Sequence, residues 1–179
     1  MEISSDYEDL FKILNRFKIK YLVVGAYAVS YYAAPRFTKD LDIWIIPDMN
    51  EAGRIYRALK TFGAPLREIC PDDFLDKNMI YQIGVAPVRI DILTHLPGVP
   101  FKQAWKNRKR CRFGGTPIQI VGIRELIRAK KIAGRPQDLL DLANLNISPV
   151  RKKRHQKDFQ AALDKANRLH GGTLRKLAK

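Results

Sequence analysis

The chain has 179 residues, 46% hydrophobic and 28% charged, with a net charge of +15. That length allows one domain with an appendage, and it is enough to bury a sizeable core. No run approaches the roughly eighteen apolar residues of a membrane helix, and the N-terminus lacks the basic start of a signal peptide. The expectation is therefore a cytoplasmic protein with no membrane partner. Cys70 and Cys111 lack metal-site spacing and read as free thiols. The excess positive charge favours polyanions, nucleic acid first; solubility is the plainer reading.

In chain order, Tyr7, Leu10, Phe11, Leu14 and Phe17 recur at helical spacing and predict a helix with one apolar face. Residues 21–24 read as a strand, and Gly25 turns the chain into a short helix over 26–32. A glycine between strand and helix lets a phosphate approach the backbone N–H groups at the helix start. Gly25 and Ala26 are thus candidate nucleotide-binding positions, with a tight turn as the alternative. In the following loop, Arg36 and Lys39 are either phosphate contacts or solvated cations.

Asp40-Leu41-Asp42-Ile43-Trp44-Ile45 reads as a strand with two carboxylates on one face and Leu41, Ile43 and Ile45 on the other. Paired carboxylates repel each other unless a cation lies between them. Residues 48–62 predict a scaffold helix, and the acids Asp72 and Asp73 beyond it read as N-caps rather than ligands. Residues 80–83 and 88–93 form a hairpin-like pair of strands with Asp91 as the one acid in the second. A buried carboxylate needs a partner, either a metal or Arg89 two residues earlier. Asp40, Asp42 and Asp91, converging from two strands, would make an oxygen cage suited to Mg²⁺.

Residues 101–107 predict a short helix. Lys102 and Lys106 on it and Arg108, Lys109, Arg110 and Arg112 after it form a cationic run that either meets a nucleic-acid acceptor or is solvated, with Phe101 and Trp105 facing the core. Gly114-Gly115 turns into a strand over 116–121. In a helix over 124–133, Lys130 shares the inward face of Leu126 and Ile127, where it would suit a triphosphate. Gly134 ends that helix and Pro136 opens the next. Lys130, Asp138 and Arg135 are expected to form a network that either stabilises the helix junction or meets a nucleotide. Residues 151–179 carry ten Lys/Arg against two Asp. Their apolar stripe at Phe159, Leu163 and Leu169 predicts a basic helix docked on the body.

The combination of Val24-Gly25-Ala26-Tyr27-Ala28-Val29, Pro35 to Asp42, Arg89 to Thr94 with Pro97-Gly98-Val99, and Gly134 to Leu139 resembles the nucleotidyltransferase (DNA polymerase β-like) superfamily. Within it, the chain is similar to small bacterial AbiEii toxin-type nucleotidyltransferases over roughly residues 5–147. One departure is Gly25-Ala26, where many members have Gly-Gly or Gly-Ser.

The resemblance implies an α+β nucleotidyltransferase fold, a small mixed sheet flanked by helices. Its domain spans 1–148, with 149–179 as a basic C-terminal helical extension docked on it. It implies two Mg²⁺ ions, with Mn²⁺ able to substitute, held by Asp40, Asp42 and Asp91. The reaction implied moves an NMP from an NTP such as ATP to a hydroxyl and releases pyrophosphate. RNA, tRNA in particular, is the expected acceptor, and an antitoxin is a possible protein partner. The alternatives are an antibiotic nucleotidyltransferase of aminoglycoside or lincosamide type, and a catalytically inactive nucleic-acid-binding module.

Overall fold

A computed structural model describes residues 6–33, 38, 40–85 and 88–146. Arg36 and Lys39, expected near phosphate, and the basic extension expected at 149–179 lie outside the described residues. Helix α1 (Asp6–Arg16) leads into strand β1 (Tyr21–Val23), α2 (Gly25–Tyr32) and β2 (Asp40–Ile45). Then come α3 (Met49–Phe62), a 3-10 turn (Pro71–Leu75), β3 (Ile80–Val85) and β4 (Val88–Leu93). The chain continues through α4 (Phe101–Asn107), β5 (Lys109–Phe113), β6 (Thr116–Ile120), α5 (Ile123–Ala133) and α6 (Pro136–Leu145).

The six strands form one mixed sheet in the order β3-β4-β2-β1-β6-β5. β1 runs antiparallel to β2, whereas β2 and β4 are parallel, with Asp42 opposite Asp91. β3–β4 and β5–β6 are antiparallel hairpins, as the turn residues between them predict. The β2–β4 pairing matters most, because it brings acids almost fifty residues apart to adjacent positions.

Alternation along β2 separates core from site. Leu41, Ile43 and Ile45 are fully buried, each burial stabilising the fold by roughly 2 kcal/mol. Asp40, Asp42 and Trp44 share the opposite face. At the Trp44 end that face is covered by Phe101 of α4, which meets the indole edge-on at 4.9 Å. At the Asp end it opens into a cleft.

The helix borders follow local chemistry. Asp48 caps α3 by accepting the Asn50 N–H at 2.9 Å, and Gly63 ends it in the left-handed region. Asp73 departs from expectation: Cys70 is the N-cap of the 3-10 turn, and Asp73, three residues on, accepts the Cys70 N–H at 2.7 Å. The carboxylate caps backward because the turn's first residue is Pro71, which leaves the N-cap position to Cys70 and puts Asp73 at the third helical position. Cys70 is exposed, and Cys111 on β5 is half-buried, its thiol pushed up to about 12 by burial.

The cationic run is partly structural. Arg108 stacks over Trp105 with its guanidinium carbon 4.0 Å from the ring centre, and Arg112 donates to Gly115 O. Phe101 and Trp105 stack at 6.0 Å on the core side, as expected.

Candidate active site

The site lies where the parallel strands β2 and β4 pass under the first turn of α2. Gly25 is the first residue of that helix, with φ +58°, a conformation glycine adopts at little cost. A Cβ at this position would lie 2.6 Å from Asp42 Cγ and closer still to its Oδ2. Gly25 is therefore needed for two reasons, its backbone angle and the room it leaves the Asp42 carboxylate. No side chain caps α2, so its first N–H groups face the site without a capping group.

Arg89 ties the acids together. Its Nη2 lies 2.9 Å from Asp40 Oδ2 and donates to Asp91 Oδ2 at 3.1 Å. Its Nε lies 2.9 Å from Asp91 Oδ1, but at an angle that makes no hydrogen bond. Both ion-pair and metal readings of Asp91 thus bear on the same atoms. The guanidinium spans Asp40 and Asp91, and its own ionisation is favoured by those carboxylates despite desolvation. Among the described residues no three carboxylates, imidazoles or thiols are grouped to hold an ion as they stand.

Asp42 is the acid this arrangement leaves least compensated. Burial, with the negative charges of Asp91 and Asp40, pushes its carboxyl up to about 6 against the partial relief of Lys130 and Arg135. Asp40 Oδ1 and Asp91 Oδ1 are buried without a hydrogen bond. Buried hard oxygens without a hydrogen bond, beside a carboxylate that resists ionisation, fit a divalent cation such as Mg²⁺. Arg89 lies against Asp40 Oδ2 and both Asp91 oxygens, so an ion reaching Asp91 would compete with its guanidinium.

On the far wall, Lys130 is buried and donates to Asp138 Oδ1 at 2.8 Å, with Asp141 Oδ2 at 2.6 Å. Arg135 donates through Nε to Asp138 Oδ2 at 2.8 Å, while its side chain stays 74% exposed. Asp138 is also buried. Burial alone would raise its carboxyl, but the hydrogen bonds from Arg135 and Lys130 hold it below the usual range. Lys130 thus faces the site as expected, with its ammonium committed to two carboxylates rather than open to a ligand.

Two connected lobes make up the cleft. The smaller, about 350 Å³, is lined by Gly25, Ala26, Thr38, the three acids, Arg89 and Arg135. The larger, about 500 Å³, shares Gly25, Asp42, Asp91, Lys130, Arg135 and Asp138 and extends between apolar walls of Met79, Ile80, Leu93, Leu96, Leu126 and Ala129. Asn78, Gln82 and His95 add polar groups there. Gln82 faces Asp91 across the β3–β4 ladder, a placement that register alone determines. Strand alternation in β3 is the one sequence signal for it. His95, four residues beyond Asp91, has no such signal.

No protein-family model matches the chain, and no curated protein sequence matches it. The fold itself has counterparts among solved structures. The solution structure of the antibiotic-resistance factor ANT(2'')-Ia aligns with a TM-score of 0.56 at 9% identity, covering 92% of this chain and 95% of that one. A crystal structure of ANT(2'')-Ia in complex with adenylyl-2''-tobramycin aligns with a TM-score of 0.55 at 13% identity, covering 89% and 95%. The six strands of the mixed sheet and the six helices found among the described residues, overlaying these structures along nearly their whole length, give this chain the nucleotidyltransferase fold.

Proposed function

We propose that this protein transfers a nucleotidyl group from an NTP to a hydroxyl acceptor. The observation that carries the reading is the pairing of Asp42 with Asp91 on adjacent parallel strands, beneath the N-terminus of α2. In this reading Asp40, Asp42 and Asp91 hold the divalent ions, Mg²⁺ or Mn²⁺. Bound ions of that kind offset triphosphate charge and acidify an acceptor hydroxyl.

The chain's own groups divide the remaining work. The N–H groups at Gly25 and Ala26 face the β and γ phosphates, where the helix dipole favours negative charge. Arg135, paired with Asp138 yet exposed beside the smaller lobe, reaches phosphate oxygens more readily than Lys130, which is buried between two carboxylates. Lys130 acts through Asp138 and Asp141, positioning the wall. Asp91 accepts the proton of the attacking hydroxyl. The new bond joins the acceptor oxygen to the α-phosphorus, the α–β bridging P–O bond breaks, and pyrophosphate leaves. The apolar walls of the larger lobe hold a flat or apolar group and exclude water.

The likeness to ANT(2'')-Ia favours a small hydroxylated acceptor of the antibiotic kind. The +15 net charge favours the second reading, an RNA acceptor. The toxin role and its antitoxin partner rest on the sequence resemblance alone. The test is incubation with each α-labelled NTP and Mg²⁺ or Mn²⁺, against total RNA in one arm and hydroxylated antibiotics, tobramycin included, in the other. Label should move to an acceptor with wild type and not with Asp42→Asn or Asp91→Asn. Transfer by either variant at the wild-type rate rules the reading out.

A further inference from the structure

A second groove, about 520 Å³, adjoins the cleft and is used by none of the roles above. The two share His95. Its floor is Trp44, which follows Asp42 by two residues on the same face of β2, about 7 Å along the strand. Lys77 and Arg128 stand on its rim with His95, all three exposed. Among the described residues no Asp or Glu lines it, and neither Lys77 nor Arg128 makes an ion pair. The groove continues past Arg128 into a recess that Arg124 and the buried Glu125 also line, the Glu125 carboxylate accepting from Asn107 Nδ2 at 2.6 Å.

We infer that this groove binds a phosphate group carried by the acceptor. The inference rests on the cleft being the nucleotidyl-transfer site, since only then is a ligand spanning both an acceptor. Lys77, Arg128 and an imidazole, with no acid among the described residues lining the groove itself and Glu125 set back in the recess beyond Arg128, form a local field that selects anions and repels polycations. A second observation points the same way. Trp44 is almost fully buried and its indole N–H has no hydrogen-bond partner in the protein. A buried donor of this kind is costly when unmade, and a ligand oxygen would satisfy it once the side chains packed over Trp44 part at the groove floor. An acceptor bound here would present its hydroxyl near Asp91 and its phosphate between Lys77 and Arg128. Such a ligand is a phosphorylated small molecule or the end of a nucleic-acid strand, not a free aminoglycoside.

The test measures binding without turnover, on the full chain in EDTA. The probes are a fluorescein-labelled ten-nucleotide oligoribonucleotide followed by anisotropy, and ribose 5-phosphate and tobramycin followed by calorimetry. The variant is Lys77→Gln/Arg128→Gln. The control, Arg57→Gln/Lys60→Gln on α3, removes the same charge from exposed positions elsewhere. The expected result is about tenfold weaker binding of a phosphate probe by the groove variant and less than twofold by the control. If the oligonucleotide is the one bound, the salt slope should also fall by about 0.7 for each phosphate no longer neutralised. Weakening confined to ribose 5-phosphate supports the groove with a small acceptor, and weakening for the oligonucleotide supports it with a strand.

Equal weakening in both variants, no phosphate probe bound by wild type, or tobramycin bound through these residues would overturn the inference. NTP binding with Mg²⁺ is measured on the same preparations. Its absence in wild type would count against the transfer reading, whereas its presence with an inert groove would count against the groove alone.

Discussion

Gly25 and Asp42 occupy one another's space: the carboxylate of Asp42 fills the volume a side chain at Gly25 would need. The turn that opens α2 and the acid beneath it are thus a single unit. Gly25→Ala should cost about 2 kcal/mol or more, combining a left-handed backbone that L-residues resist with displacement of Asp42. Asp42→Gly in the same chain should recover the steric part and leave the backbone part. A double-mutant cycle by urea unfolding checks this: a coupling energy near zero would mean that the two residues do not share the space.

Asp42 sets a pH dependence. Its folded carboxyl titrates near 6, above its ordinary 3.8, because burial and two neighbouring acids resist its charge. The native state therefore binds the proton more tightly than the unfolded chain. Stability should fall as pH rises from about 4 to about 6, by no more than about 3 kcal/mol, and stay lower above. Asp42→Asn should lack that fall. In EDTA at pH 7.5 it should melt above wild type while losing transfer activity. Thermal melts across pH 4 to 8 measure both effects, and a variant that melts below wild type at pH 7.5 would refute the assignment.

Arg89 occupies oxygens of Asp40 and Asp91 that the proposed metal site would use. Arg89→Gln should melt lower than wild type in EDTA, since Asp40 and Asp91 then repel each other unscreened. The same variant should bind Mn²⁺ more tightly, because no guanidinium has to leave. Calorimetry with Mn²⁺ and melts with and without it test the two halves separately. Equal Mn²⁺ affinity in both proteins would show that Arg89 and the ion do not share a place.

Asp138 holds the opposite wall. Asp138→Asn keeps the shape but removes the charge that Lys130 and Arg135 share; with Asp141 still on Lys130 and Arg135 exposed, it should cost about 1.5 kcal/mol. Because its folded carboxyl lies below the ordinary range, the wild-type contribution is present above about pH 4 and is lost on further acidification. The gap between the two proteins in denaturant midpoint should therefore narrow as the pH drops below that value.

Much of this was legible in the sequence because it is local. Alternation put Asp40 and Asp42 on one face, and helical spacing turned Lys130 inward. Gly134 and Pro136 marked the α5–α6 junction, where Arg135 and Lys130 meet Asp138. What local spacing could not show is register. The parallel pairing of β2 with β4 sets Asp42 beside Asp91, and it also sets Asp40 opposite Arg89. That pairing lets one guanidinium reach both Asp40 and Asp91. Nor could spacing show that Lys130 would be neutralised twice over, since Asp141 reaches it only once the two helices pack. His95 stood outside every motif, yet it lies at the seam of two cavities made by loops distant in the chain.

The unequal setting of the two thiols offers a practical handle. With Cys111 half-buried and slow to ionise, a maleimide dye at neutral pH should mark Cys70 in the unmodified chain. Cys70 caps the 3-10 turn, in the segment that also carries Lys77, Asn78 and Met79 to the edge of the cavities. A fluorophore there would report ligand arrival from the outside, with no engineered cysteine and no change to any group in the cleft.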